Sequence, residues 1–171
     1  MKVCKFGGSS LANAAQITKV IDIVLADPAR RIVVVSAPGK RYSGDTKVTD
    51  LLIELADTAI KGENTDRQYG AVIERYAEIA SELNLGEEIV RQIEADISGR
   101  LAQVSTLENA EFMDMMKAAG EDNNAKIVAV AVVPDKRLIS TVKKARTMQI
   151  NVVGHRGQLK APFKMARRDL L

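Results

Sequence analysis

At 171 residues, 46% hydrophobic and 27% charged, the chain has the length and composition of one soluble globular domain. Aromatic residues make up only 4% and Trp is absent, which argues against a stacking surface for nucleic acid. One cysteine excludes an intramolecular disulfide and a Cys-based metal cluster, and no secretory leader or membrane-length apolar stretch is legible, so the cytoplasm is the expected compartment.

The first strand-like run, Lys2–Phe6, ends beside Lys5 and passes directly into Gly7-Gly8-Ser9-Ser10. Glycines at a strand end let backbone N–H groups approach phosphate oxygens, and a helix start beside them adds partial positive charge. Lys5 is placed to bring an ammonium next to a phosphoryl group. Cys4, inside the same run, reads as a small buried hydrophobe. From Asn13 to Ala26 the residues Ile17, Val20, Ile21, Val24 and Leu25 recur at helical spacing, and Asp27-Pro28 ends the pattern. Ile32–Val35 is a β-branched run expected to form a central parallel strand, which completes a βαβ unit.

A loop from Ala37 to about Lys47 leaves the carboxyl end of that strand, where parallel α/β sheets hold their ligands. Its cations Lys40, Arg41 and Lys47 read as a solvated face. Val48–Ile60 is helical, with Leu51, Leu52, Leu55 and Ala59 on one side. Two or three further helices are expected between Asp66 and Met116, punctuated at Asn84-Leu85-Gly86 and near Ser105-Thr106. Ile73, Tyr76, Ala77, Ala80 and Leu83 form one apolar stripe; Ile89, Ile93, Ile97 and Leu101 form another, and Met113, Met115 and Met116 are expected to fill core. Ala119-Gly120-Glu121-Asp122 reads as the start of a new helix, its two acids complementing the dipole and Asn123 and Asn124 bonding locally. Val130–Val133 ends that helix or forms a strand, and Ile150–Val153 is a short strand.

These blocks together resemble the aspartokinases. Lys5-Phe6-Gly7-Gly8-Ser9-Ser10-Leu11-Ala12 is similar to that family's opening signature, and Val33-Val34-Val35-Ser36-Ala37-Pro38-Gly39 to its second-strand block. Val48-Thr49-Asp50-Leu51-Leu52 and Gly120-Glu121-Asp122-Asn123-Asn124-Ala125-Lys126 resemble two further blocks, in the family's order. The resemblance implies an amino-acid-kinase-like α/β fold: a three-layer αβα sandwich around a mainly parallel sheet, here truncated and carrying a helical excursion. It implies transfer of the ATP γ-phosphoryl group to the β-carboxylate of L-aspartate. Lys5 would stabilise the transferring group, the N–H groups of Gly7 and Gly8 and the hydroxyl of Ser9 would cradle phosphates, and Thr49 and Glu121 would lie against aspartate. Mg2+ is expected with ATP, held by phosphates and water without a protein metal cage.

The resemblance runs from residue 1 to about 129, the expected N-terminal portion of the catalytic domain, and residues 130–171 form a divergent basic tail. The charge balance breaks at the same place: residues 1–129 carry 15 Lys and Arg against 20 Asp and Glu, residues 130–171 carry 10 against two. The family's Arg-Gly-Gly-Ser-Asp block is not found; His155-Arg156-Gly157-Gln158 lacks its second glycine and its Ser-Asp, and His155 reads as a surface residue. A shortened sheet is expected to leave an open edge and an apolar face, hence a homo-oligomer or poor solubility. The family's nucleotide-binding half is not found either, hence weak or absent turnover is expected. The alternatives are a non-catalytic remnant or partner subunit, and a nucleic-acid-binding role for the basic tail, which salt would weaken steeply.

Overall fold

The structure, a computed structural model, describes residues 1–132 and 150–154. Strand β1 (Lys2–Phe6) leads into a 3-10 turn (Gly8–Leu11), helix α1 (Ala14–Leu25) and strand β2 (Arg30–Val35). Four helices follow: α2 (Val48–Ile60), α3 (Asp66–Glu82), α4 (Glu87–Leu101) and α5 (Asn109–Ala131), and then strand β3 (Asn151–Gly154). The sheet has the order β1-β2-β3, with both pairings parallel, Cys4 opposite Val33 and Val33 opposite Val152. The βαβ unit and the short third strand therefore form as expected, β3 one residue later than read.

Both crossovers step in the same direction across the sheet, and right-handed connections then put both sets of helices on one face. The burial follows. Phe6, Val33, Val35 and Val152 pack into the hydrophobic core, whereas Val3, Ile32, Val34 and Val153, on the alternating positions, take no part in it. Among the described residues, helices thus cover one side of the sheet. Cys4 shares the covered side and is half-buried.

Local chemistry explains the helix ends. The Asn13 side chain accepts from the Gln16 N–H at 3.0 Å and caps α1, whose residues Ile17, Val20 and Val24 are buried. Asn84 and Gly86 turn the chain between α3 and α4 with positive φ values of 55 and 77. On α4 the stripe Ile89, Ile93, Ile97 is buried, and Met116 is fully buried with Met113 and Met115 packed beside it, as their spacing predicts.

The main departure is α5. No helix starts at Ala119-Gly120; one helix of 23 residues runs through both positions. Gly120 is there for close approach: a Cβ on it would stand 2.8 Å from the Ala37 Cβ and 3.1 Å from Leu52 Cδ1. Glu121 and Asp122 consequently sit mid-helix, beyond the reach of a helix-start dipole. Asn123 and Asn124 are buried and bond over long range, Asn123 Nδ2 to Asp96 at 2.8 Å and Asn124 Nδ2 to the Ser36 carbonyl at 2.7 Å, while Asn123 Oδ1 also accepts locally from Lys126 at 2.9 Å. The helix runs through Val130 to Ala131, so these two residues take the helical alternative, and Val133 lies outside the described residues. Residues 133–149 and 155–171, including His155 and most of the basic tail, lie outside the described residues.

Candidate active site

All three strands are parallel, so their carboxyl ends share one edge of the sheet, and the glycine segment, the 37–47 loop and Gly154 all leave from it. Lys5 lies one residue before the end of β1, exposed and in register with Val34. Gly7 precedes the 3-10 turn with φ −79 and ψ 168, and Ser10 N–H donates to its carbonyl at 3.0 Å. Because α1 begins only at Ala14 and Asn13 caps it, Ser9 belongs to the short turn and not to the start of α1.

Three glycines have three different reasons here. Gly39 presses on Gly8: its N–H donates to the Gly8 carbonyl at 2.9 Å, and a Cβ on Gly39 would lie 2.6 Å from the Gly8 carbonyl carbon. Gly8 itself has the Ala37 carbonyl oxygen 3.0 Å from where a Cβ would stand. Gly7 has open space, with nothing within 4 Å of a Cβ, and an ordinary φ. Packing among the described residues therefore does not require glycine at 7.

Ala37–Gly39 is the meeting point. Gly8 contacts Ala37 and Gly39; Gly120 contacts Ala37, Val48 and Leu52; Asn124 bonds Ser36. All four blocks meet at this segment of the sheet edge, Asn124 reaching it from 88 residues along the chain. Thr49 is half-buried in the first turn of α2, whose Val48 N–H donates to the Pro38 carbonyl at 3.0 Å. Glu121 is half-buried at the end of β3, its Cβ 3.0 Å from the position of a Cβ on Gly154. Lys40 is exposed, and Lys47 lies 3.5 Å from Asp50.

Sequence reasoning missed the groups that hold this assembly. Arg75 on α3, only 3% exposed, donates to Asp45 Oδ2 at 2.7 Å and to the carbonyls of Ala12 and Gly39 at 3.0 and 2.6 Å. Its neighbour Tyr76, fully buried, donates to the Gly120 carbonyl at 2.8 Å. Burial pushes the Tyr76 hydroxyl far above the ordinary tyrosine range, so it stays a donor. Arg41, read as solvated, is exposed but also donates to Asp45 through Nε and Nη2 at 2.9 Å and to Glu78 at 2.6 Å. Hydrogen bonds from Arg41 and then from Arg75 hold the Asp45 carboxyl far below the usual carboxylate range, against the opposing effect of burial. Arg75 was missed because a charged residue on an amphipathic helix looks like solvent-facing surface until its partners, 30 to 63 residues away, are placed.

Between α4 and α5, Arg100 donates to Asp122 at 2.8 Å, to Asp96 at 3.0 Å and to the Met115 carbonyl at 2.8 Å. One concavity, about 640 Å³ and lined by Ala77, Ser81, Val90 and Glu94 among others, includes no residue of the four blocks. A second, about 450 Å³, is bordered by Arg41, Asp45, Leu51, Arg75 and Glu78 behind the loop. No helix among the described residues is long and apolar enough to cross a membrane.

Known proteins share this arrangement. Aspartokinase 3 of Bacillus subtilis (strain 168) is 52% identical over 129 residues, which is 75% of this chain and 28% of that protein. A putative inactive aspartokinase 3 of Haemophilus influenzae is 39% identical over 70 residues, 41% of this chain and 51% of that protein. Among solved structures, the aspartate kinase of Clostridium acetobutylicum matches with a TM-score of 0.64 and 33% identity over 76% of this chain and 28% of its own. E. coli aspartokinase III, solved with lysine and aspartate and also with aspartate and ADP, matches with a TM-score of 0.59 and 26% identity in each, again over 28% of its length. The chain thus spans little more than a quarter of the B. subtilis, C. acetobutylicum and E. coli proteins. The amino acid kinase family model matches residues 1–160, and with the parallel sheet and converging blocks described above, this chain belongs to the amino acid kinase family.

Proposed function

We propose that the chain carries the N-terminal part of an aspartate kinase site: the cradle for the phosphates of ATP and one wall of the pocket for L-aspartate. The observation that supports this most is the convergence of four distant blocks on Ala37–Gly39, with Gly7 left open beside Lys5 at the carboxyl edge of a parallel sheet. A Cβ-free backbone where no described residue stands within 4 Å of a Cβ fits a polyphosphate approaching from solvent.

The chemistry asks for little beyond alignment. A β-carboxylate oxygen attacks the γ-phosphorus, the new P–O bond forms as the bond to the bridging oxygen of ADP breaks, and no proton need be removed. Lys5 places its ammonium against charge spreading over the transferring oxygens, and the N–H groups of Gly7 and Gly8 with the Ser9 hydroxyl hold the phosphates. Glu121 meets the substrate ammonium and Thr49 offers it a hydroxyl. Mg2+ supplies charge neutralisation when it enters with the nucleotide. Phosphates and water would hold the metal, as the family resemblance implies.

A second reading, a non-catalytic unit that binds or pairs without turnover, is favoured by the apolar sheet face carrying Val3, Ile32, Val34 and Val153 outside the core. One experiment separates them: aspartate-dependent acyl phosphate from Mg-ATP, trapped with hydroxylamine, beside Lys5→Ala. Trapped product that needs aspartate and vanishes in Lys5→Ala supports the kinase. Nucleotide binding without product from folded protein supports the second reading, and neither binding nor product rejects both uses of the cradle.

A further inference from the structure

We propose that Arg75 is the positioning residue of the cradle, locking the 37–47 loop onto the glycine turn so that the Gly7 and Gly8 N–H groups converge on phosphate. This inference rests on the kinase reading of the cradle and adds to it a residue outside all four blocks.

Three separate segments meet on one guanidinium. Nη1 takes the Asp45 carboxylate, while Nη2 takes both the Ala12 carbonyl, just after the 3-10 turn, and the Gly39 carbonyl. Gly39 is the residue whose N–H bonds Gly8, so the loop is fixed on one side by the cradle backbone and on the other by Arg75. Asp45 returns the far end of the loop to the same point and is itself gripped by Arg41, whose backbone N–H donates to it at 2.8 Å. Arg41 then extends to Glu78, one helical turn beyond Arg75 on α3.

Burial of this pair is costly, and apolar replacements of buried ion pairs are often neutral or stabilising. The cost is visible: Arg75 Nε is buried with no hydrogen-bond partner. A planar fork that spans a carboxylate and two carbonyls fixes distance and angle between the segments it joins, which a lysine ammonium cannot reproduce. That geometric demand falls directly behind Gly8 and Gly39, where misplacement of N–H groups weakens phosphate binding.

The test compares wild type with Arg75→Lys and Arg75→Ala, each shown to be folded by circular dichroism. Hydrogen exchange is read by mass spectrometry and Mg-ATP affinity by calorimetry. Both variants are expected to exchange the amides of residues 8–12 and 39–47 about tenfold faster, with α4 unchanged. Mg-ATP affinity is expected to fall by about tenfold or more in both, and millimolar methylguanidinium to restore part of it in Arg75→Ala only. A purely structural role would lower the melting temperature without this rescue. If neither variant folds, Asp45→Asn, which keeps both carbonyl bonds of Arg75, carries the test with loosening confined to 39–47. Unchanged loop exchange, or loosened loops with wild-type affinity, overturns the role of Arg75. A wild type that binds no Mg-ATP overturns the kinase reading itself, a result distinct from either.

Discussion

Gly39 and Gly8 lie so close that a Cβ on Gly39 would stand 2.6 Å from the carbonyl carbon of Gly8 and 2.9 Å from the Ser9 nitrogen. Both obstacles are backbone, so neither can rotate away. Gly39→Ala must separate the two loops, and the expected destabilisation is about 1–3 kcal/mol, as for overpacking elsewhere. Urea denaturation measures it, and an unchanged midpoint would mean that the loops do not meet in solution as described.

Gly7→Ala is the opposite case. With open space and φ −79 it should leave the denaturation midpoint within about 0.5 kcal/mol of wild type. Mg-ATP affinity should nevertheless fall, because the new methyl occupies the volume proposed for a phosphate. Equal affinity in the two proteins would remove Gly7 from the cradle.

Tyr76→Phe deletes one buried hydrogen bond to the Gly120 carbonyl and little volume. The expected loss is about 1 kcal/mol. Exchange at the α5 amides around Gly120 should rise with it, since Tyr76 ties α3 to the point where α5 passes Ala37. Stability equal to wild type would place no net value on that bond.

The Asp45 carboxyl, paired with Arg41 and Arg75, titrates well below its unfolded value. A depressed carboxyl favours the folded state above the unfolded pKa of about 4, and that contribution drains away as pH falls from there toward the folded pKa. Stability measured at descending pH should therefore drop below about pH 4, and Asp45→Asn should flatten this part of the curve. The same substitution leaves two guanidinium groups without their buried partner and should cost about 3 kcal/mol at neutral pH. An acid limb of the same steepness in Asp45→Asn would assign it to other carboxylates.

Local pattern alone determined the family and every element up to α4. Lys2–Phe6 and Ile32–Val35 are apolar runs whose backbone has no better use than a parallel ladder, and the stripes on α1 through α4 repeat at the helical period. Lys5-Phe6-Gly7-Gly8 carries its chemistry in consecutive residues, so it is legible before any fold is known. Gly120 was not legible in this way. A glycine followed by two acids reads as a helix start, and only the position of Ala37, 83 residues earlier, turns it into a point of close approach within one long helix. Arg75 was hidden for the same reason, since a cation's burial depends on which carbonyls and carboxylates the chain brings to it. What is written in neighbouring residues can be read along the chain; what is made by contacts across tens of residues exists only once the helices have packed on the sheet.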